Sequence, residues 1–289
     1  MERIVLGYDG SPASVAALSW VTARAARGDV QVDVINVVSR HSNDRSDALD
    51  RLGDAEDFLR ERIPYLKVEL HRLQGSVLET IPEFADDADL LVVGINVGHP
   101  LRAALAGGLP LRLTTVSRVP VCLVPAGWAE GEEPITVGIA DDTSSLPALA
   151  FAAAEAHATG STLRLVHAWL MPTPAFTTGS VVVDPLPEPV IQEHRRIVDT
   201  AVRWVAERYP TVAVETELVR DSRAAALLRF AGRSSLLALG THQTGLLTGG
   251  ILGSVAQDVL WHAECPVCVV PAHPRAGSGA PARHHGAVV

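Results

Sequence analysis

A glycine-rich segment in the second half of the chain has the residue types and spacing that hold a phosphate. It runs from Gly240 to Ser254 as G-T-H-Q-T-G-L-L-T-G-G-I-L-G-S. Glycines accept left-handed backbone angles and expose backbone N–H groups, and Gly240 ends an apolar run where a side chain would obstruct a ligand. Gly253 and Ser254 precede an amphipathic stretch at 255–263, and the free N–H groups of a helix N-terminus attract anions. The pattern predicts a phosphate loop, although Ser254 also suits a helix cap.

The elements that position this loop occur twice. Gly138, after the run I-T-V, follows Gly7, after the run I-V-L, by 131 residues. Gly240 follows Gly94 by 146 residues, and the apolar segments that close the two halves are separated by the same 146 residues. The second copy therefore contains 15 additional residues, and the proline-rich segment 171–189 accommodates most of them as a longer loop.

Each copy alternates strand and helix patterns, which indicates a doubly wound, mostly parallel sheet covered by helices on both faces. We expect two tandem Rossmann-like α/β domains, each with a five-stranded sheet, at 1–126 and 133–272, and a disordered tail at 273–289. The first copy predicts strands at 3–8, 30–38, 67–74, 89–93 and 120–124. The second predicts strands at 134–139, 162–169, 212–219, 235–239 and 266–270. The two closing strands would leave apolar sheet edges, so we expect them to pair with each other within the chain.

Composition excludes several classes of function. The formal net charge of −9 provides no general attraction to nucleic acid or anionic membranes. No apolar run reaches the roughly 18 residues needed to span a bilayer, and the first residues enter a strand pattern without a signal peptide. Three cysteines do not form a disulfide framework. We expect a cytoplasmic protein.

The glycine spacing, the V-L-G-Y-D-G-S opening and the C-P-V-C-V-V close resemble the universal stress protein family, here as a tandem, two-copy member. The resemblance covers nearly the whole chain except the tail. It implies ATP as a ligand, with Mg²⁺ as a companion ion, and no catalytic or metal-binding residues. The implied nucleotide-binding residues are Gly240, Thr241, Gly253, Ser254 and Ala168 in the second copy, and Asp9, Val37, Gly94 and Gly107 in the first.

Each copy departs from the family pattern at a different place. The first has Asp9 at the end of its first strand, whereas Val97 replaces the middle glycine of its loop and Gly108 replaces the serine. The second has Gln243 at the middle position and Ala140 in place of the acid, with two acids displaced to the next two positions. We expect ATP binding more readily in the second copy. The alternative is that the glycines persist as structural turns.

Other motifs predict structural roles. Cys265 and Cys268 have C-x-x-C spacing, but the second lies in a strand pattern, so burial is favoured over redox chemistry or a metal set with His262. Ser11 and Ser145 suit helix caps. Five histidines, among them His167, are scattered, and only His242 falls in the glycine loop.

The sequence favours a regulatory module over an enzyme. It has no Walker lysine loop, no nucleophile elbow and no H-E-x-x-H helix. The segment from Gly240 to Ser254 contains no Lys or Arg, so we expect at most slow, incidental ATP hydrolysis. The leading hypothesis is an adenine-nucleotide-binding stress-response module that acts on a protein partner or as a homodimer. The alternative is a nucleotide-free protein-interaction module with degenerate ATP sites.

Overall fold

The computed structural model describes residues 1–39, 45–96, 108–170, 188–241 and 254–272. The sequence predictions for 171–187, for Gly107 and Gly253, for most of the glycine loop and for the tail lie outside these residues. The side chain of Ser254 is also not described. No helix within the described ranges is both long and apolar enough to cross a membrane.

In the described residues of the first half, five strands alternate with four helices. The elements are β1 (Glu2–Gly7), α1 (Pro12–Ala25), β2 (Val30–Val38), α2 (Arg45–Arg62), β3 (Lys67–Gln74), α3 (Val77–Phe84), β4 (Leu90–Ile95), α4 (Leu109–Val116) and β5 (Val121–Pro125). A short 3₁₀ turn, Ala85–Asp87, follows α3. The predicted strands agree with these bounds to within two residues.

The second half repeats the arrangement. Its elements are β6 (Ile135–Ile139), α5 (Leu146–Thr159), β7 (Leu163–Trp169), α6 (Glu188–Arg208), β8 (Val214–Arg220), α7 (Arg223–Ala231), β9 (Leu236–Gly240), α8 (Ser254–His262) and β10 (Val267–Val270). A 3₁₀ turn, Thr143–Ser145, precedes α5. Each half has a parallel five-stranded sheet, which confirms the predicted fold class.

Local sequence explains where the helices begin and end. Ser11 caps α1 by accepting a hydrogen bond from the Ser14 amide at 3.2 Å, and Pro12 supplies the fixed φ of the first turn. Ser222 caps α7 in the same way through the Ala225 amide at 3.2 Å. Gly160 ends α5 with φ of 67°, the left-handed conformation that glycine adopts without a steric penalty.

The two sheets join into one of ten strands in the order β3-β2-β1-β4-β5-β10-β9-β6-β7-β8. The junction is an antiparallel pair in which Cys122 of β5 lies opposite Cys268 of β10. The predicted pairing of the closing strands within the chain is confirmed. Helices α1, α2, α5 and α6 pack on one face of the sheet, and α3, α4, α7 and α8 pack on the other.

A buried ion pair crosses the junction. The Arg24 guanidinium of α1 makes a bidentate contact with the Glu155 carboxylate of α5, with Nη2 at 2.6 Å from Oε1. The same nitrogen lies 2.8 Å from Glu2 Oε1. The Arg24 and Glu155 side chains are only 13% and 8% exposed, so solvent screens their interaction weakly.

We predict that Glu155→Leu lowers the free energy of unfolding by roughly 3–5 kcal/mol, because it removes the main partner of a buried guanidinium. The double variant Arg24→Met, Glu155→Leu should regain most of that loss, since no buried charge then remains unpaired. Urea denaturation measures both values. The exposed pair between Arg196 and Glu193 provides the control, and Glu193→Gln should change stability by less than about 1 kcal/mol. A double variant as unstable as the single one would contradict the prediction.

Candidate functional site

The carboxyl ends of β1 and β4 form the candidate site of the first half. Asp9 follows β1, and its Oδ1 accepts a hydrogen bond from the Ser11 amide at 2.9 Å. Partial burial raises the pKa of Asp9, but hydrogen bonds from Ser11 and Ser14 outweigh that effect, so the pKa lies below its ordinary value. Asp9 is therefore an exposed, ionised carboxylate on a tight turn.

Ala140 occupies the same position in the second half, and the surrounding loop repeats the backbone contacts. The Ala140 amide donates to Ser145 Oγ at 3.1 Å, as the Asp9 amide donates to Ser14 Oγ at 3.4 Å. Ser145 occupies the N-cap position of α5, as predicted, but its side chain makes no capping hydrogen bond. Its hydroxyl accepts the Ala140 amide instead.

The two displaced acids of the second half make contacts on the loop. Asp141 Oδ1 accepts a hydrogen bond from Arg223 Nη2 at 3.1 Å. Asp142 Oδ1 accepts the Ser144 amide at 2.9 Å and caps the 3₁₀ turn. The structure thus gives both displaced carboxylates partners within the protein.

Gly94 and Gly240 end the fourth strand of each half, and packing requires both of them. A Cβ on Gly94 would lie 2.1 Å from the carbonyl carbon of Ala13, and one on Gly240 would lie 2.6 Å from the carbonyl oxygen of Ser144. The expectation that a side chain at Gly240 would obstruct a ligand is incomplete. The nearer obstacle is backbone that follows the first strand of each half: the first turn of α1 for Gly94 and the 3₁₀ turn before α5 for Gly240.

Thr241 continues from β9 and is held by β10. Its amide donates to the Val270 carbonyl at 3.0 Å, and its Oγ1 accepts the Ala272 amide at 3.2 Å. These bonds anchor Thr241 at the end of the sheet and occupy its amide and one acceptor site of its hydroxyl.

The second strand of each half ends beside this site. Ala168 lines a cleft with Ala140 and Gly240, and Val37 holds the equivalent position in the first half. The second-half cleft brings together two of the predicted residues, Ala168 and Gly240. Its other described walls are Gly138, Ile139, Ser144, Ser145, Val166, Arg223, Leu227, Leu239 and Val255.

A pair of histidines adjoins this cleft, and sequence reasoning missed it. His167 Nδ1 lies 2.9 Å from the Ile139 carbonyl oxygen, and its Nε2 lies 2.8 Å from His194 Nδ1. Because a carbonyl only accepts hydrogen bonds, Nδ1 of His167 carries the proton and neutral His167 accepts from His194 through Nε2. Trp169 stacks on His194 with ring centroids 4.8 Å apart.

The internal repeat could have indicated the structural role of His167. Asn36 is its counterpart, 131 residues earlier, and its Nδ2 donates to the Tyr8 carbonyl oxygen at 2.7 Å. Both side chains therefore link the second strand of their half to the end of the first. His194 gave no such signal, because it follows the inserted segment that disturbs the alignment.

The cysteines confirm the prediction that burial, and not redox chemistry, explains their spacing. Cys122, Cys265 and Cys268 are free and buried, and burial raises the pKa of Cys265 to about 12 and that of Cys268 well above its ordinary value. Thiols held in the protonated form are poor nucleophiles and poor metal ligands.

Comparison with known proteins identifies relatives along most of the chain. The model of the universal stress protein family matches twice, at residues 1–125 and 132–271. A universal stress protein of Mycobacterium tuberculosis is 28% identical over 291 residues, which cover 92% of this chain and 96% of the relative. Another from Mycolicibacterium smegmatis is 25% identical over 296 residues, covering 92% and 96%.

Solved structures agree with the fold. A universal stress protein from Archaeoglobus fulgidus aligns with a TM-score of 0.68 at 18% identity, covering 93% of this chain and 98% of that one. A protein described as a putative universal stress protein from Pseudomonas aeruginosa aligns with a TM-score of 0.66 at 16% identity, covering 94% and 93%. At these identities the likeness concerns the fold.

We predict that Gly94→Ala destabilises the protein by about 3 kcal/mol, because the new methyl group overlaps the backbone at Ala13 and a packed backbone yields little. Gly28→Ala is the matched control, since a Cβ there meets no atom within 4 Å. Urea denaturation of the two variants tests the difference. Equal free energies of unfolding for the two variants would contradict the prediction, because they would show that α1 moves away from β4 at little cost.

A second prediction concerns pH. Burial lowers the pKa of His167, and His194 and Arg223 lower it further, while the bond to Ile139 and the charge of Asp141 raise it only in part. The folded state therefore binds the proton more weakly than the unfolded state, whose histidines titrate near about 6.5. The stability contributed by neutral His167 is complete above that pH and decreases as the pH falls below it.

His167→Asn should remove this contribution while keeping a donor for the Ile139 carbonyl, because asparagine fills that role in the first half. Urea midpoints of parent and variant between pH 5 and 8 measure the effect. The midpoint of the parent should fall more steeply with acidification than that of the variant. A difference between the urea midpoints of parent and variant that stays the same at all pH values would contradict the prediction.

Proposed function

The chain belongs to the universal stress protein family, and on that premise we propose that it is a tandem regulatory module whose second half binds an adenine nucleotide. The observation that carries the proposal is the cleft at the carboxyl ends of β6, β7 and β9. There Ala168 and Gly240 share a wall with Val255 at the start of α8. Ligands of open parallel sheets bind at such strand ends.

Two features of this cleft favour a ligand that carries phosphate. Helix α8 begins at Ser254, so its free N–H groups and the positive end of its dipole lie beside Val255. Arg223 also lines the cleft and provides a cationic group, although it shares its charge with Asp141. In this arrangement the α8 terminus and Arg223 hold the phosphates, with Mg²⁺ as their counter-ion, and the backbone at Ala168 lies beside the base.

The first half is the weaker site in this proposal. Asp9 supports it because an ionised carboxylate suits ribose hydroxyl groups, and Val37 takes the place of Ala168. Val97, which lies outside the described residues, replaces the middle glycine of its loop. A left-handed backbone at that position would cost a β-branched residue about 1–2 kcal/mol.

We further propose that the protein binds nucleotide without efficient turnover. Beside the described part of the cleft, both ring nitrogens of His167 are engaged, one by the Ile139 carbonyl and the other by His194. His167 therefore has no free nitrogen to act as a general base, and the described partner of Ser145 Oγ is the Ala140 amide, which is not a base. Binding would then act in the cytoplasm by changing the affinity for a protein partner or for a second copy of the chain.

One observation favours a different function. Ala140 offers no carboxylate to a ribose, and Asp141 and Asp142 have partners within the loop. These features suit a nucleotide-free interaction module that keeps its glycines for packing, as Gly94 and Gly240 do.

ATP titration by calorimetry, with and without Mg²⁺, separates the two functions. Ala168→Phe, which fills the cleft, should weaken ATP binding by about tenfold or more (~1.4 kcal/mol). The matched variant Val37→Phe in the first half should leave it unchanged. Thermal melting shows that both variants are folded, and chromatography of denatured protein identifies any nucleotide that copurifies. No heat at millimolar ATP would exclude the nucleotide function and leave the interaction module.

A further inference from the structure

The strongest unassigned group of side chains lies on the first-half sheet, away from the carboxyl strand ends that form the clefts. Asp33 of β2 pairs in register with Glu69 of β3, and His71 follows two residues later on β3. Because alternate residues of a strand point to the same face, all three side chains project on one side of the sheet. Contact between the rings of His71 and Phe84 places them on the α3 side.

The three groups converge. His71 Nε2 lies 3.9 Å from Asp33 Oδ1 and 3.7 Å from Glu69 Oε2, and the possible ligand atoms all lie within 4.8 Å of one another. Two ligands of a tetrahedral metal ion with bonds of about 2.1 Å stand roughly 3.4 Å apart. Small side-chain movements therefore bring these atoms to coordinating distances.

One polar atom of the group has no hydrogen-bond partner among the described residues. His71 Nε2 is inaccessible to solvent and has no hydrogen-bond partner. The Asp33 side chain is 1% exposed, and Arg3 Nε holds its Oδ2 at 2.6 Å while Oδ1 faces His71. Gln31 Nε2 donates to the same Oδ1 at 3.1 Å. Donors that bond to a carboxylate in this way orient it as a ligand in metal sites.

In the second half, an arginine occupies the position equivalent to Asp33. Arg164 stands at the position of Asp33, and Glu215 and Glu217 stand at those of Glu69 and His71. Arg164 Nη2 lies 3.2 Å from Glu215 Oε2, and its guanidinium lies over Phe230 as that of Arg3 lies over Phe84. The first half has a carboxylate and an imidazole where the second half has arginine and glutamate.

We propose that Asp33, Glu69 and His71 bind a divalent transition-metal ion, with Zn²⁺ as the best match. One imidazole and two carboxylates form a mixed N/O ligand set, which suits zinc and leaves positions for water. The Glu69 side chain is 61% exposed and provides the entrance. The site is independent of the proposed nucleotide cleft, so failure of one proposal does not affect the other.

Zn²⁺ titration of the full chain by calorimetry tests the site. All measurements use a His284→Gln, His285→Gln background, because paired tail histidines bind metal by themselves. We expect one Zn²⁺ per chain, weakened by about tenfold or more in His71→Gln. His157→Gln, which changes an exposed histidine of α5, is the matched control and should retain full affinity. Glu69→Gln, at an exposed position, should weaken binding without affecting the fold.

Co²⁺ then locates the ion, because it broadens nuclear magnetic resonance signals of nearby residues. Loss of the signals of β2 and β3 around His71 would support the proposal. Zn²⁺ binding that His71→Gln and Glu69→Gln leave unchanged would overturn it. The proposal would also fail if Zn²⁺ gave no heat with the full chain.

Discussion

The antiparallel pairing of β5 with β10 is the contact on which the rest of the architecture depends. Each half ends in an apolar strand that would leave an open sheet edge, and joining the two edges converts two sheets into one. Cys122 and Cys268, which lie opposite each other there, are separated by the same 146 residues as Gly94 and Gly240. The halves therefore meet about a pseudo-two-fold axis on which equivalent residues face each other.

The ion pair over this axis explains why the two halves belong together. Arg24 and Glu155 are separated by the 131-residue offset of the first repeat elements, so they occupy equivalent positions. A symmetric dimer of the first half would bring arginine against arginine, and one of the second half would bring glutamate against glutamate. Burial makes such like-charge contacts costly, whereas the tandem chain places opposite charges together. The sequence difference at this one position thus favours pairing within the chain over pairing of like halves.

The strand pattern predicted the fold well and the site only in part. Buried parallel strands are nearly continuous apolar runs, which is why β2 was predicted with its observed bounds. The bounds of β3 were predicted as well, although it is an edge strand without a buried residue. Contacts between segments distant in sequence were not predictable. The clash that requires glycine at Gly240 comes from Ser144, and the partner of His167 comes from α6. The group around His71 depends on the register of two strands, which periodicity does not specify.

The antiparallel junction also gives the two halves freedom to diverge. It directs the carboxyl ends of the two parallel sheets to opposite ends of the molecule, so a change in one cleft does not disturb the other. The second half lacks the Asp9 carboxylate but has Arg223 where the first half has Val77, and His167 where the first half has Asn36. The second-half cleft therefore lacks a carboxylate acceptor, and it has the guanidinium donors of Arg223 and, beside it, the titratable ring of His167. The carboxyl strand ends of the two halves therefore differ in charge and in titratable groups.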